Sequence, residues 1–167
     1  FPHKIPELRS KNNNYSILKA IPAGNSITAD FAKAAIIGEN LGKSDATDFL
    51  TVSFSSTDYV GHQYGVASKE TQDTYLRLDK DLASFFSFLD TEVGIGNYTL
   101  FLTADHAAVQ TPSYLQSVKI PAQYFKSKKF EAFVKDITKK YFNADELVEK
   151  ISNYQIFLNK EKINSLR

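Results

Sequence analysis

The 167-residue sequence contains no cysteine, no methionine and no tryptophan, and it has only three histidines. The absence of cysteine excludes disulfides and thiolate zinc sites, so redox chemistry gives no information about the cellular compartment. No apolar run approaches the roughly 20 residues that are needed to cross a bilayer, which predicts no insertion into a membrane. Because the sequence starts at Phe1, lacks methionine and has no charged-then-apolar leader, we expect a processed or excised piece of a longer protein.

No charge of one sign predominates. Twenty basic and nineteen acidic side chains give a formal charge of +1, so the composition does not point to a nucleic acid or an anionic membrane as partner. Hydrophobic residues make up 43% of the chain and charged residues 23%, which is typical of a globular protein. The length predicts one domain over residues 1–167, large enough for a real core.

Two short apolar segments are predicted to be buried parallel strands. Residues 48–54 and 98–103 are rich in β-forming residues and are bounded by polar residues. Between them, Ser68 is a good N-cap for a long helix whose apolar residues recur at spacings of three and four. This apolar stripe consists of Tyr75, Leu78, Leu82, Phe85, Phe86, Leu89 and Val93. Strand, helix and strand form a right-handed βαβ unit, which brings the carboxyl ends of both strands to one sheet edge and predicts an α/β fold.

The flanking segments are predicted from local signals alone. Residues 1–25 contain three prolines and a run of three asparagines, which indicates an irregular connector. Thr28 is a candidate N-cap for a helix from Ala29 toward Leu41, with Gly42 as its stop. After residue 112 we expect an edge strand over 120–125, followed by a helix that Ser127 caps. Asn143 and Glu146 resemble a capping box, which predicts a short helix over 143–150. A last strand is expected over 155–158.

The candidate metal ligands follow the two predicted strands and are Asp58, His62, Asp105 and His106. Asp58 ends the loop predicted over residues 55–58 after the first strand, and Gly61 offers the backbone freedom to fold the side chains of Asp58 and His62 around one ion. Carboxylate oxygen and imidazole nitrogen form a donor set that suits Zn²⁺, Mn²⁺ or Fe²⁺. Since neighbours on an extended backbone point to opposite sides, Asp105 and His106 serve one ion only if the chain bends there, or they divide between two ions.

Structural interpretations of nearby residues stay open. Asp58 could equally form a turn or cap a helix. His3 lies in a proline-flanked segment with no partner motif, and we expect it to be exposed or locally satisfied rather than a ligand. Thr57 and Thr103 stand next to the motifs, and we expect them to support the ligands or the strands rather than to act as nucleophiles.

Two segments of the sequence together resemble the alkaline phosphatase superfamily. Residues 54–65 read FSSTDYVGHQYG, and residues 101–106 read FLTADH. They are most similar to the branch that holds nucleotide pyrophosphatase/phosphodiesterase proteins and the single-chain bacterial alkaline phosphatases of the Bacteroidetes type. Further similarity to the latter comes from residues 1–6, 24–25, 76–79 and 103–108.

The resemblance implies an α/β domain with a mostly parallel sheet flanked by helices, and a two-zinc phosphatase or phosphodiesterase that works through a phosphoenzyme. It implies that Asp58 and His62 hold one zinc ion, together with a third histidine further along the chain. It implies that Asp105 and His106 hold the other, together with an upstream aspartate and a threonine or serine nucleophile. A phosphate-ester substrate and export to the periplasm or secretion are implied as well.

The sequence departs from this family pattern at both ends. No histidine follows His106, and no upstream aspartate and nucleophile segment is recognisable, so each ion has two protein ligands and this chain supplies no catalytic residue. We therefore expect a fragment of a larger catalytic domain that is inactive in isolation. A bare sheet edge is expected to be covered by a loop or by self-association.

Other functions share these motifs. Within the superfamily, the alternatives are a sulfatase or a cofactor-independent phosphoglycerate mutase, which differ in residues that this chain does not contain. Outside enzymes, the alternative is a non-catalytic α/β domain that has kept the motifs as structural caps. The preference for phosphate monoesters or diesters depends on pocket residues that lie upstream of this chain.

Overall fold

The computed structural model describes residues 2–166. By their contacts the residues divide into two compact units, Phe1–Pro121 and Ala122–Arg167. The α-helices of the first unit are α1 (Ile5–Arg9), α2 (Ala23–Gly38), α3 (Ser56–Tyr64), α4 (Lys69–Leu89) and α5 (Pro112–Ser117). The 3-10 segments Ser10–Asn12 and Asn14–Ala20 connect α1 to α2, and the π-helical turn Asp90–Gly94 extends α4. The elements of the second unit are α6 (Ser127–Phe142), β1 (Val148–Ser152), β2 (Gln155–Leu158) and α7 (Lys160–Asn164). Within the described residues, no helix is long and apolar enough to cross a membrane.

The core of the first unit lies between α2 and α4. Ala32 and Ile36 of α2 pack with Phe85 and Leu89 of α4, and all four side chains are buried. Burial of such apolar side chains stabilises the fold by about 1.5–3 kcal/mol for each large residue, so this contact supports both helices.

The long helix α4 begins where the sequence predicts. The Ser68 hydroxyl accepts a hydrogen bond from the Thr71 N–H at 3.1 Å, as an N-cap does. Within the predicted apolar stripe, Phe85 and Leu89 are buried whereas Tyr75 is 58% exposed. The stripe therefore identified the helix correctly, but only its C-terminal part packs against α2.

Helix α2 begins earlier than predicted. It starts at Ala23 with Pro22 at the N-cap, and the Thr28 hydroxyl donates to the Gly24 carbonyl at 2.9 Å inside the helix instead of capping it. The predicted cap at Thr28 was wrong because the local preference of Gly24 and Asn25 favours a turn. Contacts of this segment with α3 hold it in the helix instead.

Two further boundaries differ from the prediction. Residues 5–20, expected to be an irregular connector, form α1 and the two 3-10 segments. Helix α2 ends at Gly38, ahead of the predicted stop at Gly42, whose φ of +73° belongs to the turn that follows. Because Gly42 donates its N–H to Asp48 Oδ2 at 2.7 Å, it shapes the connection to the next segment rather than the end of the helix.

The two predicted parallel strands form no ladder in the described part of the chain. Residues 47–54 and 98–104 have no regular secondary structure and pair neither with each other nor with another described segment. Phe49 and Phe101 at their centres are 89% and 87% exposed. The prediction of paired strands was wrong, as was the edge strand over 120–125, because a strand needs a hydrogen-bonded neighbour that its own β-propensity does not supply.

The second unit joins α6 to an antiparallel hairpin. Helix α6 begins at Ser127 itself, and no side chain caps it. The short helix predicted over 143–150 was wrong: Asn143 and Glu146 have φ values of 49° and 64°, and the chain continues into β1. The strand predicted over 155–158 is confirmed as β2, which pairs with β1.

A two-residue turn closes this hairpin. Asn153 and Tyr154 have φ values of 49° and 59°, and a type I′ turn requires this sign at both central positions. Leu147 and Val148 at the start of the hairpin are buried. The capping-box prediction was wrong because a short sequence pattern does not include the burial of Leu147 and Val148, which favours the hairpin over a helix.

His3 lies at the junction of α3 and α4. Its Nε2 is 2.8 Å from Glu70 Oε1 in the first turn of α4, and its ring contacts Tyr64 at a centroid distance of 5.6 Å. The expectation that His3 is locally satisfied is confirmed. The hydrogen bond with His3 is the largest cause that lowers the pKa of Glu70, and a backbone hydrogen bond of Glu70 itself adds to it.

Replacing Glu70 with glutamine is expected to reduce stability at neutral pH and to flatten its dependence on pH in the acid range. A carboxyl whose pKa is lowered on folding contributes stability above its unfolded pKa, and this contribution is lost as the pH falls through its folded pKa. Urea unfolding at pH 7 and pH 3 measures the difference. Glu7→Gln is the control, because it removes an exposed carboxylate of α1 that pairs with Lys4. Equal losses for Glu70→Gln at both pH values contradict the expectation.

Candidate metal centre

The first motif lies on a helix. The predicted loop after residue 54 was wrong, because Ser56–Tyr64 forms α3. Ser56 and Val60 are buried on its inner face, whereas Asp58 and His62 lie one turn apart on its outer face. Gly61 stands inside the helix, so the backbone freedom expected of it is not used there. Helix packing on the inner face therefore presents the carboxylate and the imidazole side by side.

Asp58 faces two histidines. Its Oδ2 lies 3.4 Å from His62 Nε2, and its Oδ1 lies 3.8 Å from His106 Nε2. The alternative that Asp58 caps the helix is contradicted, since no side chain caps α3. The Asp58 side chain is 47% exposed, and that of His62 is 74% exposed, so both donor atoms are accessible.

The second motif bends back on itself. The chain bends at Asp105 and His106, and the His106 N–H donates to Asp105 Oδ1 at 3.1 Å. As a result, His106 Nε2 lies 3.7 Å from Asp105 Oδ2, although neighbours on an extended backbone would point apart. The bend is the condition under which the sequence allowed these two residues to share an ion.

The orientation of His106 is set by a backbone carbonyl. Its Nδ1 lies 3.1 Å from the Ala107 oxygen, and because a carbonyl only accepts, Nδ1 carries the proton. This hydrogen bond is the largest cause that raises the pKa of His106. The charge of Asp105 raises the pKa further, loss of solvent contact opposes the shift, and the charge of Asp58 makes the last contribution upward. The site therefore favours positive charge near Nε2, the nitrogen that faces both carboxylates.

One pair of these donors has the separation that a small divalent cation requires. An ion held tetrahedrally with bonds of about 2.0–2.2 Å has neighbouring donors about 3.3–3.6 Å apart. The Asp58–His62 separation of 3.4 Å lies in this range, and the separations of 3.7 and 3.8 Å around His106 are slightly wider. The last two exceed a hydrogen-bond distance, so they do not arise from direct hydrogen bonding.

The four residues form a row of pairs rather than one closed cage. Within residues 2–166, no group of three or more histidine, aspartate or glutamate side chains converges on one point as a metal site. Zinc sites in proteins have three or four protein ligands. The structure therefore brings all four predicted residues into one neighbourhood, but the described chain does not complete a ligand set.

Sequence reasoning missed two residues beside this neighbourhood. Lys19 Nζ lies 5.1 Å from the ring centroid of Tyr59, which places a cation next to the first motif. Asn25 donates from Nδ2 to Thr57 Oγ1 at 3.0 Å. Neither carries a sequence signal, because each reaches α3 from a segment that is distant along the chain. The Thr57 hydroxyl thus accepts a hydrogen bond across the contact between α2 and α3, and its expected role in supporting the ligands stays a prediction.

Two curated relatives match over most of the chain. It is 46% identical, over 170 residues that cover 99% of this chain and 30% of the relative, to a Myroides odoratus protein named calcium-transporting ATPase. It is 57% identical, over 121 residues that cover 72% of this chain and 22% of the relative, to alkaline phosphatase PhoV of Synechococcus elongatus.

A solved structure matches as well. The crystal structure of wild-type alkaline phosphatase PafA superimposes with a TM-score of 0.89 at 39% identity, covering 99% of this chain and 31% of that chain. This match confirms the predicted fold class, a partial alkaline-phosphatase-like α/β domain. The chain spans about a third of the length of that protein, and less of PhoV. Residues 8–162 also match the family of type I phosphodiesterases and nucleotide pyrophosphatases. The chain therefore belongs to this family, within the alkaline phosphatase superfamily.

Proposed function

We propose that the intact protein is a metal-dependent phosphate-ester hydrolase and that this chain supplies part of its metal centre. The observation that carries the proposal is the position of Asp58 between His62 and His106, at 3.4 and 3.8 Å. Both a phosphodiesterase family match and relatives named alkaline phosphatase support hydrolysis of phosphate esters. The name calcium-transporting ATPase of a third relative also denotes a protein that cleaves a phosphate bond.

The residues divide between two Zn²⁺ ions in this proposal. Asp58 and His62 hold one ion, and Asp105 and His106 hold the other, each with further ligands from outside residues 1–167. Bound zinc would activate a nucleophilic oxygen and stabilise the leaving oxygen of the ester. The Asp58 carboxylate faces His62 of its own pair and His106 of the other pair, so in this proposal it links the two ion sites.

The protein prepares these ligands before any ion binds. Helix α3 fixes Asp58 and His62 one turn apart, and the Ala107 carbonyl holds the proton of His106 on Nδ1. Nε2 of His106 is then available as the ligand atom, an arrangement that typically raises metal affinity 10–100-fold over a ligand without such a partner.

The proposal also covers the rest of the protein. We infer that residues 1–167 are part of one larger catalytic domain, since each relative is at least three times as long as the matched part. The nucleophile and the missing ligands then come from outside this chain, and residues 1–167 alone are inactive. Secretion or export to the periplasm and self-association through an exposed sheet edge are further parts of the proposal.

Removing the metal from the intact protein is expected to abolish hydrolysis of p-nitrophenyl phosphate, and Zn²⁺ is expected to restore it. Residues 1–167 expressed alone, with helical circular dichroism as a folding control, are expected to show no turnover. Parallel assays with bis-p-nitrophenyl phosphate, ATP and p-nitrophenyl sulfate separate diesterase, ATPase and sulfatase activity. An intact protein that binds no zinc and cleaves none of these esters is a non-catalytic domain, and the proposal fails.

A further inference from the structure

Helices α2 and α3 approach each other more closely than any added side chain allows. A Cβ on Gly24 would lie too close to both Ser56 Oγ and the carbonyl oxygen of Leu18 for either contact to be tolerated without a shift. Ser56, the first residue of α3, is buried at this contact. The absence of a side chain at Gly24 therefore brings the first turn of α2 against the first residue of α3.

Asn25 forms a specific bond across the same contact. Its side chain is 1% exposed, and its Nδ2 donates to Thr57 Oγ1 at 3.0 Å. The buried hydroxyls of Thr71 and Thr74 donate instead to the carbonyls of Gly65 and Glu70, within α4 and the turn before it. Among the buried polar side chains of the described residues, Asn25 is thus the one whose hydrogen bond joins two helices.

This bond is not explained by stability alone. Asn25 Oδ1 is buried and has no hydrogen-bond partner in the described residues. A buried polar atom without a partner destabilises the fold, whereas an apolar side chain of similar size at the position would carry no such cost. A half-satisfied amide that joins two helices suggests a requirement for orientation rather than for packing.

The group that Asn25 orients is the start of α3. Thr57 directly precedes Asp58, and α3 has no side-chain cap of its own to define its first turn. Ser56 held against Gly24 and Thr57 held by Asn25 leave the backbone at Asp58 little freedom. Site residues need positions within about 0.5 Å of the productive geometry, and only a rigid support provides this.

We propose that Asn25 is a positioning residue for the metal centre: through its hydrogen bond to Thr57, it sets the direction of the Asp58 carboxylate toward His62 and His106. The inference rests on the proposed function of Asp58 as a ligand. It assigns the role to the hydrogen bond itself and not to the volume that Asn25 fills.

The test compares Asn25→Leu, Thr57→Val and the double variant in the intact protein. Zinc affinity is measured by competition with a chromogenic chelator, and the visible absorption of the Co²⁺-substituted protein reports ligand geometry. Each single variant is expected to weaken zinc binding about 10–100-fold, and the double variant no more than either, because all three remove the same bond. If Asn25→Leu does not fold, Thr57→Val measures the same bond.

Thr74→Val is the matched control, because it removes an equally buried hydroxyl whose bond stays within α4. It is expected to lower stability while zinc affinity and the Co²⁺ spectrum stay unchanged. If Asn25→Leu behaves like this control, or if the two single losses add in the double variant, the inference is overturned. Asp58→Ala distinguishes failure of the inference about Asn25 from failure of the proposed function. If Asp58→Ala also leaves zinc affinity unchanged, Asp58 is not a ligand and the proposed function itself fails.

Discussion

Replacing Asp58 with alanine in the intact protein is expected to remove zinc from the centre and to lower phosphatase activity about 10³-fold or more, as loss of several kcal/mol of metal-assisted stabilisation implies. The reason is its position, since its two oxygens face His62 at 3.4 Å and His106 at 3.8 Å. The loss leaves both imidazoles without their shared carboxylate. Zinc content per chain and kcat for p-nitrophenyl phosphate measure the two effects.

The control for Asp58→Ala is Asp73→Ala on α4. Asp73 is also partly exposed and pairs with a residue one turn away, Arg77, at 2.9 Å, so its removal disturbs a helix in a comparable way. Zinc content and rate are expected to be retained in this control. Asp58→Ala with full zinc and full activity would show that the carboxylate is a structural residue, and the proposed metal centre would have to be given up.

Replacing Gly24 with alanine is expected to be among the most destabilising single-methyl changes in the first unit. The new Cβ would meet the buried Ser56 side chain and the backbone carbonyl of Leu18, and the carbonyl moves only if the 3-10 segment Asn14–Ala20 shifts. Overpacking of this kind typically costs about 1–3 kcal/mol in the free energy of unfolding. Because the displaced element is α3, zinc affinity is expected to fall together with stability.

Gly38→Ala is the matched control for Gly24→Ala, because Gly38 ends the same helix and a Cβ there meets nothing within 4 Å. Alanine in place of glycine in a helix gains about 0.5–1 kcal/mol, so this variant is expected to be unchanged or slightly more stable. Urea unfolding followed by circular dichroism measures both. Equal midpoints for the two variants would mean that α2 and α3 can separate without cost.

Local signals predicted the elements whose stability is local. Helix α4 was predicted because Ser68 caps it and its apolar residues recur at helical spacing, and both features act within the segment. Strand β2 was predicted from a short β-forming run, although the turn that pairs it was not. Where the outcome depended on a distant partner, as at Gly24 or Thr28, local preference gave the wrong helix start.

The candidate site follows the same division. The candidate residue types come from the sequence alone, since carboxylate and imidazole side chains form a donor set that suits a divalent metal. Their arrangement was not, because Asp58 and His62 lie on a helix rather than in a loop. The burial of Ser56 and Val60 made that difference, and burial depends on what packs against the segment.

By itself, the sequence determined which chemistry is available: oxygen and nitrogen donors without thiolates, one well-defined long helix, and family motifs in two places. Only the tertiary structure decided that Asp58 faces both histidines, that the chain bends at Asp105, and that Asn25 reaches Thr57 across a helix contact. The physical reason is the distance along the sequence over which each interaction acts. Side-chain chemistry and helical periodicity act over a few residues, whereas strand pairing, burial and ligand convergence require segments that are far apart in sequence to meet.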